Sequence, residues 1–158
     1  MGKIIDSLAE LKEIIGQEKQ KGRKVVFGNG CFDLLHVGHI RYLKGAKELG
    51  NVLVVAVNDD SSVTGLGKRK KVVTPARERA EIIAAIDCVD YVIIFSEPTV
   101  ENLLRTLQPH IHAKGTDYTE ENVPERAIVQ SYGGKVAIVG DPKDHSTRDL
   151  IKTIKELS

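Results

Sequence analysis

Apolar residues along this chain recur at helical spacing and at strand spacing in turn. Over residues 6–21 they fall on one helical face, with Asp6 or Ser7 available as the cap. The next apolar run, residues 24–28, is short and β-branched, which predicts a buried strand. Over residues 37–49 apolar positions return every three residues and Gly50 follows as a stop signal, so a second helix is predicted there.

The same alternation continues along the rest of the chain. Further strands are predicted at residues 51–57, 89–95, 110–115 and 135–140, and further helices at 74–86, 98–107, 124–133 and 146–157. Strands that alternate with helices at this spacing form βαβ units. We therefore expect an α/β fold with a doubly wound, mostly parallel sheet of about five strands. One domain covering residues 1–158 is expected, with the N-terminal helix packed on it.

Composition narrows the class of protein. The 158 residues include no Trp and few aromatics, so the core is expected to consist of Val, Ile, Leu and Ala, as in parallel sheets covered on both faces. The formal net charge is +1, from 23 basic and 22 acidic residues, which argues against nucleic-acid binding. Neither a membrane-spanning apolar run nor a signal peptide is recognisable. Cys31 and Cys88 form no metal or redox pair, so a cytoplasmic protein with reduced thiols is expected.

Polar residues gather where four of the predicted strands end. These clusters span residues 28–39, 58–62, 114–118 and 140–147. In doubly wound sheets, ligands bind beyond the carboxyl ends of the strands, near the point where strand order reverses. Loops from separate parts of the chain are therefore predicted to meet at one binding site.

The first cluster carries the strongest chemical signal, in the stretch FGNGCFDLLHVGHIRYL at residues 27–43. His36 and His39 lie three residues apart at a predicted helix start, where free N–H groups and the helix dipole favour phosphate. Gly38 leaves room for a phosphate to approach the backbone. One alternative is that His36 caps the helix while His39 packs on the sheet. The other is a zinc site whose third ligand is Asp33, His110 or His112, but no metalloprotease helix pattern is present, and no metal ligand is assigned.

The segment GNGCFDLLHVGHIRYLKGAKELGNVLVVAVNDD, residues 28–60, resembles the nucleotidylyltransferase superfamily with its H-x-G-H signature. Within that superfamily the chain is most similar to heptose 1-phosphate adenylyltransferases, which make ADP-heptose for lipopolysaccharide cores. The similarity continues through TPARERAEIIAAIDCVDYVIIF, KGTDY, GGKVAIV and STRDLI, and so covers nearly the whole chain.

The resemblance implies that a substrate phosphate attacks the α-phosphorus of ATP and that pyrophosphate leaves, with Mg2+ carried by the triphosphate. It also implies three groups of site residues. The catalytic group comprises His36, His39, Arg69, Ser146 and Thr147. The nucleotide-binding group comprises Gly28, Asn29, Gly30, Cys31, Phe32, Gly38, Arg79, Lys114, Gly115 and Asp117. The acceptor-binding group comprises Asp33, Asp60 and Tyr118.

Several of these residues also have ordinary structural interpretations. Asp33 and Asp117 suit caps and turns, and Ser146 and Thr147 suit the cap of the last helix. Arg79 matches an arginine that precedes the third strand in related transferases, but it also suits an ion pair with nearby acidic residues.

The basic run GKRKKVVTP, residues 67–75, is either a solvated loop or a clamp over the triphosphate or sugar phosphate. It lacks the Arg-Pro pair that the heptose branch carries in this loop, and Arg69 is the favoured equivalent. Asp141 and Pro142 stand in the region where cytidylyltransferase relatives carry an arginine. This difference argues against a glycerol-phosphate cytidylyltransferase.

The predicted function is therefore that of an adenylyltransferase acting on D-glycero-β-D-manno-heptose 1-phosphate. The close alternatives are a cytidylyltransferase for glycerol 3-phosphate or another polyol phosphate, and an FMN adenylyltransferase. A non-catalytic nucleotide-binding module is the alternative of a different class. The expected partners are small-molecule substrates without nucleic acid or membrane, and the resemblance implies a homo-oligomer.

Overall fold

A computed structural model describes residues 1–65, 67, 70–142 and 145–158 of the chain. The described residues form a parallel sheet in the order β1-β4-β3-β2-β5-β6. Its strands are β1 (Lys3–Ile4), β2 (Val25–Gly30), β3 (Val52–Asn58), β4 (Tyr91–Phe95), β5 (Ile111–Lys114) and β6 (Lys135–Ile138). The predicted doubly wound α/β fold is thus confirmed, and its sheet is wholly parallel over these strands.

Helices cover both faces of the sheet. They are α1 (Leu8–Gln20), α2 (Val37–Glu48), α3 (Asp60–Gly65), α4 (Ala76–Ala84), α5 (Glu101–Leu107), α6 (Arg126–Ser131) and α7 (Thr147–Glu156). Apolar residues of α1, α5 and α6 share one buried cluster with the sheet, and those of α2 and α4 share another. The two clusters take alternate residues of each strand, since successive side chains of a strand point to opposite faces. Phe27 belongs to the first cluster and Val26 to the second.

The prediction of about five strands is wrong, because the described residues form a sheet of six. The additional strand, β1, is only two residues long and pairs with Tyr91 and Val92 at the edge of the sheet. A strand of that length shows no alternation of its own, and only its distant partner defines it. The short helix α3 was also not predicted, because six residues carry too little helical periodicity to be recognised.

The strand order reverses between β2 and β5. The chain runs from β2 through β3 to β4 on one side, and then returns to place β5 and β6 on the other side of β2. The carboxyl ends of β2 and β5 therefore flank the crevice where ligands bind in folds of this class. Among the described residues, no helix is both long enough and apolar enough to cross a bilayer.

Candidate active site

A cavity of about 970 Å³ lies at the carboxyl ends of the central strands, where the strand order reverses. Its walls come from the turn after β2, the ends of β4 and β5, and the segments that precede α6 and α7. The predicted site residues that line it are Asn29, Gly30, Cys31, Phe32, Asp33, His36, Gly38, His39, Lys114, Gly115, Asp117, Tyr118, Ser146 and Thr147. The predicted convergence of separate loops therefore occurs.

Four predicted site residues are not part of this lining. Gly28, Asp60 and Arg79 lie outside the cavity wall, and Arg69 lies outside the described residues. Gly28 is needed for packing, because a Cβ there would lie 2.6 Å from the hydroxyl oxygen of Tyr42. That hydroxyl donates a 2.7 Å hydrogen bond to the carbonyl oxygen of Ala113, and burial raises the pKa of Tyr42.

The two histidines form a stacked pair at the start of α2. Their ring centroids lie 3.9 Å apart with an interplanar angle of 29°. His36 Nδ1 accepts a 3.0 Å hydrogen bond from the backbone N–H of Gly38, and His39 Nδ1 accepts a 3.2 Å bond from the N–H of His36. A neutral imidazole whose Nδ1 accepts carries its proton on Nε2. Capping thus uses one nitrogen of each ring and leaves Nε2 as the donor.

Gly38 is required between the two histidines for a steric reason. A Cβ at position 38 would lie 2.8 Å from Cε1 and 2.9 Å from Nδ1 of the His36 ring. Any side chain there would displace the ring from its capping position. The H-x-G-H spacing therefore holds both rings against the first turn of α2.

Asp33 anchors Val73 and Thr74, near the end of the basic run. Its side chain is buried, and its carboxylate oxygens accept hydrogen bonds of 2.8 and 2.9 Å from the backbone N–H groups of Val73 and Thr74. The flanking residues Phe32 and Leu34 have φ values of 52° and 58°, a left-handed conformation that costs free energy in a non-glycine residue. Asp33 therefore has a structural role in binding the backbone at Val73 and Thr74, and its contact with the acceptor stays a prediction.

Asp33→Asn is expected to release this segment. The amide keeps one acceptor oxygen but sets an NH2 group against a backbone N–H, which costs about 1–3 kcal/mol. Trypsin cleavage after the exposed Lys70 and Lys71 should accelerate roughly tenfold. Asp59→Asn is the matched control, because Asp59 Oδ1 accepts from the backbone of Ser62 away from this segment. Equal cleavage rates in both variants would contradict the anchoring role.

Arg79 holds together the segments around the site through its buried guanidinium. Its guanidinium is 1% exposed and donates to the carbonyl oxygens of Thr74, Cys31 and Asn58. It also donates a 2.7 Å bond to Oδ1 of Asp60, whose carboxylate in turn accepts from the N–H of Ala76. Arg79 therefore forms a structural ion pair, and its partner is Asp60. Nucleotide binding by Arg79 and acceptor binding by Asp60 stay predictions.

The start of α7 is tied to the turn after β2. Ser146 caps the helix by accepting a 3.1 Å bond from the N–H of Asp149, as its residue type predicts. The Thr147 hydroxyl donates a 2.9 Å bond to the carbonyl oxygen of Asp33. The cavity thus has one helix N-terminus at α2 and a second at α7, and Asp33 is in contact with the second.

The cavity wall near β5 carries a positive charge. Lys114 Nζ lies 4.5 Å from the ring centroid of Tyr118, a cation–π contact that orients both side chains. His145 lines the cavity as well, with its ring centroid 6.4 Å from that of His36. His145 is absent from the predicted site residues, because it belongs to no recognised spacing.

His112 is buried next to the site, and the sequence did not predict its contact with Asn29. Its Nε2 lies 2.9 Å from Oδ1 of Asn29, and burial lowers its pKa to about 3. The ring is therefore neutral at pH 7 and donates from Nε2 to the Asn29 oxygen, which leaves the amide NH2 as the donor of the Asn29 side chain. Among the described residues, no group of three or more His, Cys, Asp or Glu side chains is placed to hold a metal ion.

Stability is expected to fall as the pH is lowered from His112's ordinary pKa of 6.5 towards 3. In that window unfolded His112 binds a proton that the folded residue does not, so the loss reaches about 2 kcal/mol at pH 5. Urea unfolding at pH 7 and pH 5 measures it. His112→Leu should reduce the pH dependence of the free energy of unfolding. The smaller part that remains is expected from His110, because burial lowers the pKa of that residue as well. An unchanged slope in the variant would show that His112 does not contribute.

Known proteins share both the sequence and the fold. The family model described as cytidylyltransferase-like matches residues 27–155. The chain is 48% identical over 146 residues to the bifunctional protein HldE of Pelobacter propionicus and 49% identical over 150 residues to that of Geobacter metallireducens. These matches cover 92% and 95% of this chain, which spans only 30% and 31% of the length of those relatives.

Two solved structures share the architecture. The lipopolysaccharide core biosynthesis protein from Thermoplasma volcanium superposes with a TM-score of 0.68 at 29% identity, covering 77% of this chain and 100% of that one. Pantoate-β-alanine ligase from Francisella tularensis, in complex with β,γ-ATP and β-alanine, gives a TM-score of 0.65 at 17% identity. That match covers 98% of this chain and 77% of the ligase, and it concerns the fold alone.

Proposed function

The chain belongs to the cytidylyltransferase-like family, and from this premise we propose that it transfers AMP from ATP to D-glycero-β-D-manno-heptose 1-phosphate. The products are ADP-heptose, for lipopolysaccharide core synthesis, and pyrophosphate. The observation that carries the proposal is the His36–His39 pair, which caps α2 through Nδ1 and keeps its protons on Nε2 at the cavity. The similarity to HldE and to the heptose 1-phosphate adenylyltransferases supports the choice of substrate.

The proposed reaction needs no enzyme nucleophile. An oxygen of the acceptor phosphate forms a bond to the α-phosphorus of ATP, and the bond from that phosphorus to the bridging oxygen of the β-phosphate breaks. Pyrophosphate leaves with that electron pair, and Mg2+ arrives as part of the ATP complex. Catalysis then rests on positioning and on stabilising the negative charge of the phosphates.

Three parts of the site supply that stabilisation. The Nε2–H groups of His36 and His39 donate to the α- and β-phosphates, next to the positive N-terminal end of α2. Lys114 and the N-terminus of α7 lie on the cavity wall near β5 and complement the remaining charge. Asp33 holds Val73 and Thr74 in place beside the cavity through their backbone N–H groups.

The main alternative to the proposed reaction uses CTP in place of ATP. The matching family is described by cytidylyl transfer, so a CTP-dependent enzyme for glycerol 3-phosphate or another polyol phosphate is the second candidate. Adenylyl transfer to FMN remains a third. A homo-oligomer and a cytoplasmic location, where ATP and sugar phosphates are present, complete the proposal.

Pyrophosphate release tests the proposal directly. ATP, CTP, GTP and UTP are each combined with heptose 1-phosphate, glycerol 3-phosphate and FMN. Release with ATP and heptose 1-phosphate alone is the expected result. Release with another pair would keep the proposed mechanism but assign the protein to a related nucleotidyltransferase activity. ATP binding without release in any combination would support the non-catalytic module instead.

A further inference from the structure

A hydrogen bond between His112 and Asn29 joins the two strands that flank the reversal in strand order. Phe27 and His112 are partners in the register of β2 and β5, and their rings make an edge-to-face contact with centroids 5.6 Å apart. Asn29 lies two residues beyond Phe27 and so points to the same face of the sheet. The His112 side chain is fully buried, and its Nε2 lies 2.9 Å from Oδ1 of Asn29. The bond therefore reaches from the core to the carboxyl end of β2, where the cavity begins.

The surroundings of the His112 ring assign its proton to Nε2. Nδ1 is buried and has no hydrogen-bond partner in the described part of the chain, so a proton on that atom would be a donor without an acceptor. Such buried donors are rare in native proteins. A proton on Nε2 meets the side-chain oxygen of Asn29 instead, and the bond fixes the carboxamide with its oxygen towards the core.

The NH2 group at the other end of the Asn29 carboxamide is accessible. No hydrogen bond among the described residues uses Asn29 Nδ2, and this atom is not one of the buried side-chain atoms that lack a partner. An amide nitrogen that is neither paired nor buried is open to a bound molecule. Because Asn29 lines the cavity, the NH2 group is placed to donate a hydrogen bond to a ligand there.

A structural role alone accounts poorly for His112. An apolar side chain of similar size would fill the same buried space without leaving Nδ1 unpaired. The histidine therefore carries an unpaired polar atom as the cost of its hydrogen bond to Asn29. A carboxamide that is not held can exchange its two ends by rotation, because they have nearly the same shape. What His112 adds is thus a single orientation of the Asn29 amide.

Asn29 belongs to the segment that leads to the proposed phosphate donors. A Cβ on the next residue, Gly30, would lie 3.0 Å from the Phe32 ring, and that ring lies edge-on to His39 with centroids 5.4 Å apart. Asn29 is therefore close to the start of α2, where the triphosphate is proposed to bind. An NH2 group suits a phosphate oxygen, because hydrogen bonds to an anionic acceptor are shorter and stronger than those between neutral groups.

We propose that His112 is a positioning residue, which holds the amide of Asn29 so that its NH2 group donates a hydrogen bond to a phosphate oxygen of the bound nucleotide. This inference rests on the proposed nucleotidyl transfer and adds the residue that orients one donor to the nucleotide. Without His112 the amide can turn and place its oxygen against the phosphate, where two acceptors repel each other.

A double-mutant cycle tests this coupling through calorimetric binding of ATP in the presence of Mg2+. Asn29→Ala should weaken ATP binding roughly tenfold or more, because it removes a hydrogen bond to a charged group. His112→Leu should weaken it roughly tenfold, because the amide is no longer held in one orientation. The double variant should bind ATP no more weakly than Asn29→Ala, because His112 acts only through Asn29. Independent effects that multiply in the double variant would overturn the proposal.

His110→Leu is the matched control at the other end of the same strand pair. His110 Nδ1 accepts a 2.9 Å hydrogen bond from the backbone N–H of Val25, and His110 does not line the cavity. This variant should unfold more readily in urea but bind ATP within about twofold of the wild type. His112→Gln should regain much of the lost affinity, because its amide N–H lies towards the position of Nε2. Equal weakening of ATP binding in His110→Leu and His112→Leu would show a purely structural effect and overturn the proposal.

Pyrophosphate release distinguishes failure of this inference from failure of the proposed function. ATP binding that is coupled through the cycle, without release in any combination, would support His112 while the transfer reaction fails. Normal release with an unchanged KM for ATP in His112→Leu would leave the transfer reaction intact and overturn the inference. A rise in the KM for heptose 1-phosphate alone would also overturn it, because Asn29 would then meet the acceptor. Absence of ATP binding by the wild type would contradict both.

Discussion

His39→Asn is expected to lower kcat for pyrophosphate release by about 10²–10³-fold with little change in stability. The Asn amide oxygen reaches the position of Nδ1 and still accepts from the backbone N–H of His36, so the start of α2 stays capped. What the variant loses is the Nε2–H donor, which is farther from the backbone. Stabilisation of the transferring phosphate is therefore removed while the local fold is kept.

His39→Gln is the complementary variant. Its longer side chain brings an amide N–H towards the position of Nε2, so activity should recover in part although the cap weakens. Initial rates and thermal unfolding, measured on both variants and the wild type, separate the two nitrogens. If His39→Asn were as active as the wild type, His39 would serve only to cap α2.

Arg79→Met is expected to destabilise the protein by about 3–5 kcal/mol, the largest loss of stability predicted for the chain. The substitution leaves the carbonyl oxygens of Cys31, Asn58 and Thr74 without their shared donor. It also removes the partner of Asp60. Urea unfolding at pH 7 measures the change.

Arg77→Met is the matched control on the same helix. Arg77 makes a 2.9 Å ion pair with Asp6, but their side chains are 57% and 81% exposed, so removing it should cost less than about 1 kcal/mol. A stable Arg79→Met protein with a raised KM for ATP would contradict the supporting role. That result would instead support the predicted contact between Arg79 and the nucleotide.

The sequence predicted those features that depend on local pattern. The alternation of strands and helices and the polar strand ends were sufficient for the doubly wound fold and for the position of the cavity. The H-x-G-H spacing was sufficient for the histidine pair, because residues three apart at a helix start share a face. The match of residues 27–155 confirms the predicted nucleotidyltransferase family.

Features set by distant partners were not predictable in the same way. Whether Asp33 meets an acceptor or a backbone segment depends on Val73 and Thr74, which lie about 40 residues further along the chain. Arg79 offers the same difficulty, since its carbonyl partners belong to three separate segments. Glu125 and His145 belong to no motif, and only the folded chain places them on the cavity wall.

Transfer of AMP at the site of His36 and His39 is tested most directly by tracing isotopically labelled oxygen from the acceptor phosphate into the products. Heptose 1-phosphate labelled with ¹⁸O in its phosphate is incubated with ATP, and the products are identified by ³¹P NMR and mass spectrometry. Attack on the α-phosphorus predicts that all the label appears in ADP-heptose and none in pyrophosphate, and that His39→Asn forms both products about 10²–10³-fold more slowly. Formation of ADP and a doubly phosphorylated sugar, or of no product at all, would contradict the account.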